Sequence, residues 1–131
     1  MKTEEYEKMY LFEDGNWWFK GRRELILDIV ERIKCKYKNT NLNILDAGCG
    51  TGSNFKSLEK YGNVIGLDYS EDALRFSRSR GISSLICASL ESLSFKDETF
   101  EIIYALDVLE HIENDLGSMK EHYRVLKWGD P

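Results

Sequence analysis

No apolar run in this 131-residue chain approaches the ~20 residues that cross a bilayer. Its first residues, MKTEEYEKMY, also lack the basic and then apolar pattern of a secretory leader. These absences point to no membrane partner and to a cytoplasmic protein. Positive charge is not in excess either. The formal net charge is −5, which argues against a nucleic-acid partner, because that ligand selects a basic face. Arg75, Arg78 and Arg80 do cluster, but at the spacing of a solvated helix face. Cysteine is sparse: Cys35, Cys49 and Cys87 are odd in number and contain no CxxC pair. With His111 and His122 the only imidazoles, no metal site is expected. Internal repeats and low-complexity segments are missing. A chain of this length supports one domain with a true core, not two.

Two segments follow from the patterning: residues 1–43, an N-terminal aromatic stretch and helix, and residues 44–131, an alternating strand–helix domain. The first 21 residues are polar and aromatic, ending in Trp17-Trp18-Phe19-Lys20-Gly21. From Arg22 to Tyr37, Leu25, Ile26, Ile29, Val30 and Ile33 recur at helical spacing. Strand 1 is expected at Ile44-Leu45, a helix over 54–61, strand 2 over 64–67, and a helix over 71–80 stopped by Gly81. Strand 3 is expected over 85–88, with Cys87 in the core, and strand 4 over 100–105 after a loop. A last helix, 114–126, is expected to bury Leu116, Met119, Tyr123 and Leu126. Short strands alternating with helices predict a parallel sheet with right-handed crossovers.

The chemistry concentrates between Asn43 and Ser70. An apolar run ends in Asp46 and opens into Gly48, Gly50 and Gly52; one βαβ unit later a second apolar run ends in Asp68. Glycines let a backbone turn tightly and approach a ligand, and the following helix offers free N–H groups there. A carboxylate ending the next parallel strand can accept hydrogen bonds from ribose hydroxyls. A dinucleotide site wants G-x-G-x-x-G, yet Ser53 stands where its third glycine would fall. Asp46 would repel a pyrophosphate. It suits a ligand bearing an ammonium and a sulfonium, such as S-adenosylmethionine, so a nicotinamide-dependent oxidoreductase is disfavoured. Cys49 reads as a small spacer within the loop rather than a nucleophile.

With LDAGCGTG (45–52), VIGLDYS (64–70), LESLSFKDETFEIIYALDVLEHI (90–112) and HYRVLK (122–127), the chain resembles the class I S-adenosylmethionine-dependent methyltransferases, within the ubiquinone/menaquinone-methyltransferase-like group. The resemblance spans nearly everything after residue 43, and WWFKGRRELI (17–26) is similar to a leader in some members. It implies an α/β, Rossmann-like parallel sheet of order 3-2-1-4 with flanking helices, carrying the cofactor over the carboxyl ends of strands 1 and 2. Residues 44–131 would be the cofactor-binding domain. By position, Gly48, Gly50 and Gly52 would line the methionine part, Asp46 would sit near its amino group, and Asp68 would bind both ribose hydroxyls. The family's acidic residue after strand 3, which reaches the adenine amino group, is replaced by Ser89. Its hydroxyl can accept one hydrogen bond, or it can be an ordinary loop serine. Leu90 could pack on the adenine face.

Ahead of the first helix, Trp17, Trp18 and Phe19 read either as a packing wedge or as a lid. In the lid, Trp18 would give an aromatic face to the sulfonium and Arg22 would pair with the methionine carboxylate. Asp107 and His111 follow strand 4 at the cofactor edge. His111 reads as a general base or as a histidine bonded to structure at a helix start; Asp107 could face the acceptor, and Glu110 reads equally as a surface acid. The resemblance implies three further strands beyond HYRVLK, whereas the sequence ends at Pro131. Strand 4 is therefore expected at an edge, open to a homodimer through Ile102-Ile103-Tyr104. The reading is an enzyme methylating a small molecule, with a catalytically inactive cofactor-binding or interaction module as its alternative.

Overall fold

The computed structural model describes residues 3–12, 17–37, 41–105 and 115–127, without the side chains of 9–12, 17–20, 22, 37 and 115. In chain order the elements are α1 (Thr3–Phe12), α2 (Trp17–Tyr37), β1 (Leu42–Ala47), α3 (Phe55–Glu59), β2 (Gly62–Asp68), α4 (Glu71–Ser79), β3 (Leu85–Cys87), β4 (Ile102–Tyr104) and α5 (Asp115–Val125). The strands form one sheet of order β3-β2-β1-β4, parallel at every pairing. This is the expected Rossmann-like order.

The inner strand β1 is apolar on both faces, as a strand covered on both sides must be. Leu42 and Ile44 enter a layer with Val30 of α2, Phe55 and Leu58 of α3, Val64, Ile82 and Ile102. Leu45 and Ala47 point the other way, into a layer with Leu67, Leu90, Leu93, Phe100 and Val125. Each fully buried Leu, Ile or Phe contributes roughly 1.5–3 kcal/mol by leaving water. The sheet is thus clamped from both sides along β1, and its carboxyl end becomes a fixed platform.

Helix α4 shows why the sequence folds this way locally. Ser70 caps it, its hydroxyl accepting the Ala73 N–H at 3.2 Å, while Glu71 and Asp72 occupy its first turn, where the helix dipole favours acids. At the other end Gly81 donates to the Arg78 carbonyl at 2.9 Å and Ile82 to the Ser77 carbonyl at 3.3 Å. This paired closure satisfies the last carbonyls and folds Ile82 back into the core. Arg75 and Arg78 lie exposed and pair with Asp72 and Glu71, the solvated face expected of them. Arg80 instead turns inward, its Nε donating to the Thr51 carbonyl at 2.9 Å.

Several expectations need correction. Helix α2 begins at Trp17, so the aromatic triplet forms its first turn instead of preceding it. Nothing in WWFKG stops a helix, and among the described residues a Cβ on Gly21 would meet nothing within 4 Å. The first ten described residues, expected as a polar stretch, are helix α1, with Glu4 and Glu5 in its first turn. Leu25 and Ile29 are exposed on α2; Ile26, Leu27 and Ile33 pack on the core. Cys87 is exposed rather than core, because β3 is an outer strand of the sheet among the described residues.

The largest departure is α5. Leu116, Met119 and Tyr123 are exposed, and Leu126 is only partly buried. The helix turns inward through Ser118 and Val125, both fully buried. Beside the apolar Val125, its inner face carries Ser118, Glu121 and Arg124. These face inward because the helix packs on the 88–100 connection, whose backbone groups lack a strand ladder apart from the bridge of Phe100 to Leu126.

Candidate functional site

β1 delivers Asp46, only 3% exposed, opposite Gly66 of β2 and Tyr104 of β4. In-register neighbours of a parallel pair project to the same side, so these three positions share a face. The chain then turns over β2: the N–H groups of Gly48 and Cys49 both donate to the Leu67 carbonyl, at 2.6 and 3.0 Å. Gly48, Gly50 and Gly52 take φ values of 73°, 57° and 80°, a region costly for residues with a Cβ.

The last two glycines serve different ends. A Cβ on Gly52 would lie 2.6 Å from Ile82 Cδ1 and 2.9 Å from Ser77 Oγ, so Gly52 is needed for packing against α4. Among the described residues, a Cβ on Gly50 would meet nothing within 4 Å apart from its chain neighbours. Gly50 instead leaves an open approach to the backbone, which is what a ligand requires.

Asp68, 5% exposed, organises this edge. Its Oδ2 accepts the Gly50 N–H and its Oδ1 the Ser70 N–H, both at 2.9 Å. The Ser77 hydroxyl donates to the Gly50 carbonyl at 2.8 Å. The glycine loop is therefore tied to β2 and α4 together, with the two carboxylates of Asp46 and Asp68 close by. This suits an adenosine-bearing cation: acceptors for hydroxyls and an ammonium, plus an open backbone. Asn54 Nδ2 donates to Tyr104 Oη at 2.8 Å, tying the start of α3 to the end of β4. Among the described residues, no cluster of His, Cys, Asp or Glu is placed to hold a metal.

Cys49 lies within this negative setting. Burial pushes its thiol well above the ordinary range, and the charges of Asp46 and Asp68 push it further. It therefore stays neutral at physiological pH, as a spacer and not a nucleophile. In the native protein at pH 8, the exposed Cys35 and Cys87 are expected to react with a thiol-specific alkylating agent well before Cys49. Mass spectrometry of the labelled peptides checks this; first modification at Cys49 would contradict it.

One residue escaped the sequence reading. Tyr6 of α1 is 5% exposed, beside Ser70 and Asp68. Burial raises its phenol pKa, the Ser70 hydroxyl opposes the rise, and the Asp68 charge adds to it. Thr3 Oγ1 donates to Asp72 Oδ2 at 2.6 Å, anchoring α1 to α4. No periodicity in residues 1–12 says which helix α1 docks on, so Tyr6 had no signal of its own.

The remaining expected site residues fall as follows. Ser89 is exposed, and its Oγ accepts the Glu91 N–H at 3.1 Å. Leu90 is 5% exposed and packs in the second core layer. Trp18 and Arg22 belong to the first turns of α2, their side chains outside the description. Asp107, Glu110 and His111 lie outside the described residues.

Comparison with known proteins agrees with this geometry. Residues 45–129 match the methyltransferase domain family. The chain is 38% identical over 105 residues to the uncharacterized protein MJ0638 of Methanocaldococcus jannaschii, covering 79% of this chain and 45% of that one. It is 30% identical over 131 residues to phosphoethanolamine N-methyltransferase 1 of Zea mays, covering 95% of this chain and 25% of that enzyme. For the ubiquinone biosynthesis O-methyltransferase of Coxiella burnetii the identity is 24%, over 94% of this chain and 58% of the enzyme. The chain thus spans between a quarter and three-fifths of these relatives. Among solved structures, the PH0226 protein of Pyrococcus horikoshii superimposes with a TM-score of 0.66 at 33% identity, over 86% of this chain and 55% of that one. The S-adenosylmethionine dependent methyltransferase of Mesorhizobium loti shares the fold, with a TM-score of 0.65 at 23% identity over 90% of this chain and 52% of that one. The glycine turn between two buried aspartates, the 3-2-1-4 parallel sheet around it and the match over residues 45–129 agree: the chain belongs to the class I S-adenosylmethionine-dependent methyltransferase family.

Proposed function

We propose that the chain binds S-adenosylmethionine and that the protein transfers its methyl group to a small molecule. The observation that carries this reading is the open Gly50 backbone between two buried carboxylates, Asp46 and Asp68. When bound, the cofactor would supply an electrophilic methyl on a sulfonium. In this reading Gly48, Gly50 and Gly52 line the methionine part, Asp46 attracts its ammonium, and Asp68 accepts from the ribose hydroxyls while keeping the Gly50 N–H. Tyr6, hydrogen-bonded to Ser70 and within reach of the Asp68 charge, would border the ribose from α1. Trp18 and Arg22 remain candidates for the sulfonium face and the carboxylate, Ser89 and Leu90 for the adenine, and Asp107 and His111 for the acceptor. Segment 1–43 would cover the site that segment 44–131 builds.

The small-molecule acceptor rests on relatives whose names specify phosphoethanolamine, a sterol and ubiquinone biosynthesis. Methyl transfer to such acceptors depends mostly on approach and alignment, so the rigid platform at the end of β1 is the chain's own contribution. Among the described residues no helix is long and apolar enough to cross a membrane; the free thiols of Cys35, Cys49 and Cys87 support the cytoplasm. Pairing of two copies through β4 belongs to the same reading, and a monomer in sedimentation would remove it. Calorimetric titration with S-adenosylmethionine and, separately, NADH tests the cofactor assignment. Saturable binding of the first alone is expected; binding of NADH alone would overturn it.

A further inference from the structure

The inner face of α5 carries more hydrogen bonding than a helix needs for its own docking. All five N–H donors of Arg124 are used. Nε donates to Glu121 Oε2 at 2.8 Å. Nη1 donates to the Phe95 carbonyl at 2.8 Å and to Asp97 Oδ1 at 2.7 Å. Nη2 donates to the Leu93 carbonyl at 2.7 Å and to Glu121 Oε1 at 3.3 Å. Glu121 Oε1 in turn accepts the Leu93 N–H at 2.9 Å. One turn earlier the fully buried Ser118 hydroxyl donates to the Leu90 carbonyl at 2.8 Å. The last part of the connection is held by backbone, Glu98 and Thr99 donating to the Arg124 and Val125 carbonyls at 2.9 and 2.8 Å.

These bonds converge on the β3–β4 connection, which lacks a ladder of its own. It begins beside the candidate site: Cys87 pairs with Asp68, and the Ala88 N–H donates to the Asp68 carbonyl at 3.0 Å. If Asp68 takes the ribose, the base attached to that ribose and directed away from the glycine loop lies toward β3. There it meets the first residues of the connection, Ser89 and Leu90. Ser89 is exposed and Leu90 is held at its carbonyl by Ser118, so the placement of this wall depends on α5.

We propose that Arg124, with Glu121 and Ser118, is a positioning group that fixes the β3–β4 connection as the adenine wall of the cofactor site. The proposal rests on the cofactor reading above. A lysine keeps the charge but has three donors on one atom in place of a planar five-donor fork, so it cannot hold Leu93, Phe95, Asp97 and Glu121 at once. The position therefore requires arginine's geometry and not merely its charge.

The test compares two probes that share homocysteine and ribose: S-adenosylhomocysteine and S-ribosylhomocysteine, which lacks adenine. Arg124→Lys is expected to weaken the first by about tenfold, the equivalent of one or two lost hydrogen bonds, and to leave the second unchanged. Ser118→Ala, which spares the fork, serves if Arg124→Lys does not fold; it should give a smaller loss with the same adenine selectivity. Equal affinity of variant and wild type for both probes overturns the proposal, as does a parallel loss of both, which marks a purely structural clamp. Failure of the wild-type protein to bind S-adenosylhomocysteine is a different result: it overturns the cofactor reading itself, and the positioning role with it.

Discussion

Replacing Asp68 by alanine is expected to weaken S-adenosylhomocysteine binding by about two orders of magnitude. Two hydrogen bonds from ribose hydroxyls to a carboxylate are each worth about 1.5–3 kcal/mol, and every 1.4 kcal/mol is about tenfold in affinity. The change also orphans the N–H groups of Gly50 and Ser70, both 2.9 Å from the carboxylate. The loop would then lose one of its ties to β2, keeping those of Gly48 and Cys49 to the Leu67 carbonyl, as well as its ligand contact. Asp68→Asn separates these effects poorly, since one amide nitrogen must face a backbone donor. Asp68→Glu is the sharper companion: it keeps charge and acceptors but moves them by a methylene, and affinity should stay low. Calorimetry gives the affinities, and thermal unfolding shows how much structure each variant loses. Wild-type affinity in Asp68→Ala would remove Asp68 from the site.

The second large effect comes from contrasting Gly52→Ala with Gly50→Ala. At Gly52 the added methyl meets Ile82 Cδ1 at 2.6 Å and Ser77 Oγ at 2.9 Å, with the backbone at φ 80°. Left-handed strain costs roughly 1–2 kcal/mol, and overpacking adds about 1–3 kcal/mol. The sum of about 2–5 kcal/mol is a large part of the roughly 5–15 kcal/mol that holds a domain folded. A fall in Tm of about 10 °C or more is expected. At Gly50 the methyl meets, among the described residues, no atom beyond its chain neighbours within 4 Å, so only the strain is incurred and Tm falls by a few degrees. Yet that methyl occupies the open approach, and cofactor affinity should collapse in a protein that remains folded. Thermal melts and calorimetry on both variants decide this; a Gly50→Ala protein that binds normally would mean the ligand does not approach there.

The sheet and the two carboxylates were legible because local signals and tertiary fate coincide in them. β1 and β2 hold short apolar runs, each leading into its aspartate, Asp46 or Asp68, and Ser70 and Gly81 bracket α4 with their own capping hydrogen bonds. What escaped depends on docking partners. Leu116, Met119 and Tyr123 form an apolar row at helical spacing that promises burial, but the connection beneath α5 presents carbonyls, so Ser118, Glu121 and Arg124 face it instead. Cys87 reads as core from its apolar neighbours, yet β3 is an outer strand among the described residues and leaves it exposed. Tyr6 comes beside Ser70 and the Asp68 charge only because α1 lands on α4, which no pattern within residues 1–12 encodes. The glycines could be placed by eye; the distinction between an open Gly50 and a crowded Gly52 needs the third dimension.

The central claim is that the crevice between Asp46, Gly50 and Asp68 holds the adenosine cofactor. Amide chemical-shift mapping of the isotope-labelled protein, titrated with S-adenosylhomocysteine, tests it most directly. The account predicts saturable shifts concentrated at residues 46–52 and 68–70, extending to 88–91. Shifts confined elsewhere, or none at millimolar ligand, would contradict it.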